Sequence, residues 1–177
     1  MNLALSPGSE NLVVAARGGA SVTLRRLTHD DASAVADLHV GLPELDRYRR
    51  FFSTHPVDAV ALAESLTAQS QLNETVGAFK NGRLIGVANY ARCGPAQSAD
   101  VAIVVAHSEQ QRGVGTMLMK YLAELAVRKG ITQLTADFLA DNHLILGMFR
   151  ELGLSCSIEH TDREVLHASI DLTTGRV

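Results

Sequence analysis

The 177-residue chain has no tryptophan, four prolines, two cysteines and only 5% aromatic residues. Cys93 and Cys156 are too few for a disulfide framework and lack the spacing of a zinc ligand set, so no metal is expected and a reducing, cytoplasmic home is the default. A basic excess is also missing. Sixteen Lys and Arg stand against nineteen Asp and Glu, a formal net charge of -3, which argues against a nucleic-acid backbone as the main ligand. Long apolar runs are absent too. The longest uncharged ones, Val101 to Ala106 and Leu144 to Phe149, are six residues each, against the roughly 20 that a bilayer span needs. The start, Met1 to Pro7, has neither a basic region nor a sustained apolar one, so it does not read as a secretory signal, and no membrane partner is expected.

What is present is enough apolar residue, 46%, to bury the core of one domain. Residues 1–20, rich in Gly, Ala, Ser and Asn, read as a flexible leader, with Leu12-Val13-Val14 as the alternative of an edge strand; 21–177 reads as the domain. Alternation over Val22 to Leu27 predicts a strand. Thr28 and Asp30 offer caps to a helix carrying Ala32, Val35, Leu38 and Val40. Gly41 to Pro56 is less regular and reads best as a helix with its rings inward and its arginines solvated. Val57 to Leu66 predicts another helix. Strands over Glu74 to Lys80 and Arg83 to Arg92 flank Asn81-Gly82, a type I′ hairpin signal. A turn at Cys93-Gly94-Pro95 leads to a strand over Asp100 to Ala106, and a long amphipathic helix follows over Gly113 to Lys129. A strand over Ile131 to Phe138, a helix over Asn142 to Leu152, and strands near Leu154 to Ile158 and Glu164 to Leu172 complete an α/β (α+β) pattern: a mixed sheet with helices on its faces.

The chemistry concentrates at the junction of the apolar strand and the long helix, His107-Ser108-Glu109-Gln110-Gln111-Arg112-Gly113-Val114-Gly115-Thr116. Glycines at a helix start remove side chains, so that an anion reaches the free amides and the positive end of the helix dipole; Arg112 could add charge. A phosphate or pyrophosphate site follows. Leu118 stands where a dinucleotide fingerprint would need its third glycine, and the Gly-Lys-Ser/Thr ending of a Walker loop is missing.

Gln110-x-x-Gly113-x-Gly115 after an apolar strand resembles the acetyl-CoA pyrophosphate loop of the GNAT family of N-acetyltransferases. Asn142, Phe149 and Gly153-Leu154 are similar to that family's second signature, and the element order matches over about 21–172. The resemblance implies a mostly antiparallel sheet splayed in its middle. Ile103 and Val105 would offer backbone groups to the pantetheine arm, residues 110–116 (Gln110, Gln111, Arg112, Gly113, Val114, Gly115, Thr116) would hold the pyrophosphate, and Asn142 and Phe149 would flank the sulfur. An unprotonated amine would attack the thioester directly. Phe149 stands where many members carry a proton-donating Tyr.

Leu42-Pro43-Glu44, Tyr48-x-Arg50-Phe51-Phe52 and the run Ala136 to Arg150 are further similar to bacterial Pat-type protein lysine acetyltransferases, which modify AMP-forming acyl-CoA synthetases. That likeness implies a protein acceptor and places Asp100 at the position of their general-base Glu. Dimers are common in the family, so a homodimer is compatible, although no stretch specifies an interface. A small-amine acetyltransferase and a non-catalytic acyl-CoA binder are the alternatives. Glu44 and Glu74 read as surface carboxylates, Glu109 as turned outward, His143 as an exposed helix-start residue, His107 as shaping the turn, and Tyr90 as core.

Overall fold

The computed structural model describes residues 11–68, 70–92, 97–161 and 164–173. It opens with an antiparallel pair, β1 (Asn11–Ala15) and β2 (Ser21–Arg26), in which Leu12 faces Leu24 and Val14 faces Val22. The edge-strand alternative therefore holds over Leu12–Val14, because Leu12 and Val14 turn inward while Asn11, Val13 and Ala15 stay exposed. Residues 1–10 lie outside the described residues.

A short 3₁₀ turn (His29–Asp31) leads into α1 (Ala32–Val40). Asp31 anchors the entry: it accepts the Thr28 amide at 2.8 Å and both arms of the Arg25 guanidinium at 2.7 and 2.8 Å. Inside the irregular stretch lies α2 (Glu44–Phe51), which starts at Pro43 and stops at Phe52, whose φ of 53° is left-handed. Its side chains depart from expectation. Phe52 is 41% exposed, whereas Arg49 and Arg50 are half-buried, with Arg50 lying over the Phe51 ring at 4.9 Å. α3 (Ala59–Thr67) starts two residues later than the pattern suggests, because Asp58 caps it by accepting the Val60 and Ala61 amides.

The hairpin of β3 (Asn73–Lys80) and β4 (Arg83–Arg92) turns at Asn81 and Gly82, with φ of 51° and 78°, the two positive values that a type I′ turn requires. The turn expected at Cys93-Gly94-Pro95 lies outside the described residues. Then come β5 (Ser98–Val105), α4 (Val114–Arg128), β6 (Gln133–Leu139), α5 (His143–Leu152), β7 (Ser155–His160) and β8 (Val165–Asp171).

The strands form one sheet in the order β1-β2-β3-β4-β5-β6-β8-β7. Every pair is antiparallel except β5 with β6, which is parallel. That pair is brief. Ser98–Asp100 meet Gln133–Thr135, and the strands then separate although β5 runs on to Val105 and β6 to Leu139. Each face of the sheet is covered. α4 and α5 bury Leu118, Met119, Leu122, Phe138 and Phe149 on one side; α1 and α3 bury Val35, Leu38, Leu66, Val87 and Val104 on the other.

Two side chains on the paired strands β3 and β4 also bear on the expectations. Tyr90 is fully buried, and burial pushes its hydroxyl up to about 12. Glu74 is not a surface carboxylate but a buried one, held by Arg26 at 3.0 Å and Lys129 at 2.9 Å. Glu44 is exposed as expected.

Candidate active site

Where β5 and β6 part, a cleft of about 640 Å³ opens, and the strand ends, α2, α4 and α5 all contribute to its walls. At one end the chain passes from β5 through a 3₁₀ turn (His107–Glu109) into α4. Gln111 and Gly113 both take left-handed backbone, at φ 61° and 83°, and a residue with a Cβ pays about 1–2 kcal/mol there unless its side chain compensates. The curl brings Gln111, Gly113, Gly115 and Thr116 to the cleft, and the first-turn amides of α4 have no carbonyl one turn back to bond. Gln110, Gln111, Gly113, Gly115 and Thr116 line this end, as do Ile103 and Val105.

Two members of the expected set sit differently. The Val114 side chain is 1% exposed and belongs to the core, so only its backbone can serve an anion. Arg112 does not line the cleft: its Nε lies 3.6 Å from Glu109, and its side chain borders a smaller neighbouring hollow with Lys120. Glu109 is turned away from the cleft, as expected, but is held rather than solvated, since Lys80 donates to its two oxygens at 2.8 and 3.0 Å. Gln110 is braced as well. Its amide donates to Asp46 of α2 at 2.9 Å and to the Val105 carbonyl at 3.3 Å, and His107 meets the same Asp46 oxygen at 2.9 Å.

Asn142 caps α5, its side-chain oxygen accepting the Ile145 amide, and is buried on the cleft wall. Phe149 packs edge-on against Phe138 with centroids 5.5 Å apart, borders the cleft and has no proton to give. Asp100 lines the cleft just where the split begins and accepts the Thr135 hydroxyl. His143 is exposed on the rim. Cys156 is half-buried and does not line the cleft, and burial pushes its thiol up; Cys93 lies outside the described residues.

The model of the acetyltransferase (GNAT) family matches residues 43–154, which include both the glycine loop and the Asn142 helix. The chain belongs to the acetyltransferase (GNAT) family. Solved structures share this acetyltransferase's fold. The GNAT domain of S. lividans PAT superposes with a TM-score of 0.84 at 24% identity, covering 94% of this chain and 99% of that one. A cAMP-binding acyltransferase from Mycobacterium smegmatis gives 0.64 at 22% identity, with 92% of this chain but 47% of that protein covered. The yncA protein of Salmonella typhimurium, solved with its cofactor acetyl-CoA, gives 0.68 at 16% identity and covers 88% and 96%.

As a member of the family the protein is an acetyl-CoA-dependent N-acetyltransferase, and its residues fit that cosubstrate. The glycine curl leaves an open cradle: a Cβ built at Gly113 would meet only the Arg17 side chain, at 3.8 Å. The cleft is also lined by residues outside the expected set. Arg17, in the stretch read as a leader, reaches the cradle because its amide donates to the Arg112 carbonyl at 3.0 Å. Its guanidinium bonds Glu151 at 2.7 Å, and the Thr116 hydroxyl bonds the other Glu151 oxygen at 3.0 Å. Both contacts, Arg17 first, hold the Glu151 carboxyl below the usual carboxylate range. At the opposite end Arg49, Arg50, Asp137 and His167 line the cleft. Arg50 and Asp137 fall within the Pat-like segments, whereas Arg49 and His167 are named by no motif; the register of β6 with β8 and the placing of α2 bring the four to one cleft.

Proposed function

We propose that this acetyltransferase moves the acetyl group to the ε-amine of a protein lysine, with an AMP-forming acyl-CoA synthetase as the leading acceptor. The observation that carries this reading is the mixed charge of the acceptor end. Arg49 and Arg50 of α2 stand in the same wall as Asp100 and Asp137, beside the exposed ring of Phe52. A cleft built for a free polycation such as a polyamine gains by being acidic throughout, and two arginines oppose that. A lysine carried on a folded surface brings neighbours of both signs, which arginine, carboxylate and ring can meet. The high overlap with the PAT domain supports the same reading.

The residues divide the work. The curl at 111–116 and the N-terminus of α4 hold phosphate oxygens, and the β5 edge left open by the split aligns the arm so that thioester and amine meet in line. A lysine ammonium ordinarily holds its proton to a pKa of about 10.4 and must lose it before attacking. Asp100, at the mouth of the split, is placed to draw the ammonium in and accept that proton. Phe149 cannot protonate the leaving sulfur, so water at the open cleft does.

The test is intact-protein mass after incubation of the synthetase with acetyl-CoA and this enzyme, with spermidine in a parallel reaction. One acetyl on the synthetase and little on spermidine is the expected result. Acetylspermidine with an unmodified synthetase would transfer the reading to small amines.

A further inference from the structure

The face of the sheet under α1 and α3 carries, at the split, a row of polar side chains fixed by strand register. Asp100 pairs with Thr135 across β5 and β6. Two residues on, Asp137 projects from the same face of β6, and its partner on β8 is His167. The His167 Nδ1 lies 2.7 Å from the Asp137 Oδ1, and both residues line the cleft. A carboxylate can only accept, so the neutral ring carries its proton on Nδ1 and leaves its lone pair on Nε2. An imidazole held in one tautomer by an acid is the arrangement that removes protons from nucleophiles in many unrelated sites.

We propose that His167, positioned by Asp137, is a second proton acceptor of the transfer, working beside Asp100. The inference rests on the acetyl-transfer reading above. Asp100 is tied to the Thr135 hydroxyl. Carboxylates as a class also bind protons weakly at neutral pH, whereas imidazoles bind them near the working range, where general-base catalysis is most effective. Asp100 therefore draws the ammonium in, and the proton passes to Asp100 or, directly or through one water, to Nε2 of His167. The amine nitrogen then bonds to the acetyl carbon, the carbon–sulfur bond breaks, and the CoA thiolate takes a proton from solvent. The His167 imidazolium returns its proton to solvent at the open rim. Charged and titratable groups around the ring come from each neighbouring element: Asp137 on β6, Glu159 as register partner on β7, Asp100 on β5, Arg49 and Arg50 on α2, and His143 on α5.

Two measurements test it. The first needs no acceptor: long-range ¹H–¹⁵N NMR of histidine-labelled protein, with His167→Gln to assign the signal. A neutral ring protonated on Nδ1 is expected, and it should become a mixture of tautomers in Asp137→Asn. A ring protonated on Nε2 would overturn the proposal whatever the acceptor. The second follows CoA release against pH with the acyl-CoA synthetase. His167→Ala should lower kcat by about 100-fold while sparing acetyl-CoA affinity, flatten the acidic limb of the profile, and regain rate with added imidazole. A wild-type pH profile in His167→Ala would refute the role. Absence of CoA release by the wild type would instead refute the acceptor, and the tautomer would still decide the geometry.

Discussion

The two ends of the cleft are built by opposite means. The end proposed for the cofactor is one continuous stretch, 110–116, with left-handed turns at Gln111 and Gly113 at the start of α4. The end proposed for the acceptor is assembled from side chains on β5, β6, β8 and α2, so that Asp100, Asp137, His167 and Arg50 line one cleft across long sequence separations. A backbone site tolerates changes of side chain but not of conformation. A side-chain site tolerates changes of conformation poorly and changes of chemistry not at all. Substitutions at the two ends should therefore fail differently: cofactor binding at one, turnover at the other.

Gly113→Glu should break the first end outright. It forces a side chain onto a left-handed backbone, at about 1–2 kcal/mol, and puts a carboxylate where phosphate must sit. Calorimetry should show acetyl-CoA affinity down by about 100-fold or more. The melting temperature should fall only by the few degrees that the backbone strain costs, because the added Cβ would touch only Arg17. Wild-type affinity in this variant would mean that the curl does not carry the phosphates.

Asp100→Asn should break the second end in the complementary way. Acetyl-CoA affinity is expected unchanged, and kcat should fall by about 10- to 100-fold, with His167 sustaining the remainder. A weakened affinity with unchanged kcat would reverse the assignment and make Asp100 part of the cofactor end.

The same contrast explains what could be read from the sequence. Local signals came through: the Asn81-Gly82 turn, the bounds of β4 at Arg83–Arg92, and α4 to within a residue of each end. Each depends on residues adjacent in the chain. What failed to show depends on register or docking. Arg17 reaches the loop before α4 because β1 pairs with β2, and nothing near Arg17 announces that. Glu74 is buried because Arg26 and Lys129 converge on it from other elements. His167 and Asp137 are 30 residues apart and meet only as partners across β6 and β8. The α2 arginines turned inward, against the ordinary habit of surface helices, because α2 docks against β5 and β6 at the cleft.

Arg17→Ala sharpens the comparison by adding a side-chain element to the backbone end. Arg17 is well exposed and paired with Glu151, so its removal should weaken acetyl-CoA binding by only about fivefold, in keeping with about 1 kcal/mol for an exposed ion contact. The loss should shrink at high salt, where exposed charges are screened. Glu151→Gln should move affinity the other way by freeing the guanidinium. No change in either variant would leave the cofactor end purely backbone.

The smallest effect expected concerns the support of the acceptor end. His39 of α1 is buried beneath α2, its ring centroid 6.0 Å from that of Phe51, with Nδ1 on the Val35 carbonyl at 2.8 Å. Burial pushes its basicity down, with the Arg50 charge adding to the effect and the Val35 bond opposing it. In the unfolded chain an imidazole takes up its proton as the pH falls below about 6.5, whereas the folded ring does so only at lower pH. Between those two points the unfolded state binds more protons, so stability declines as the solution is acidified and levels off once the folded ring also titrates. His39→Phe, which keeps the packing against Phe51, should flatten that part of the curve. Melting temperatures of wild type and variant, compared from about pH 7.5 down to about pH 5.5, should converge in slope only if His39 is not the buried titrating group. Acetyl-CoA affinity measured over the same range should be alike in both proteins, because nothing in the backbone curl contacts His39. A loss of cofactor affinity in the variant would show that the two ends of the cleft are mechanically coupled through α2, by way of the Asp46 contact to Gln110.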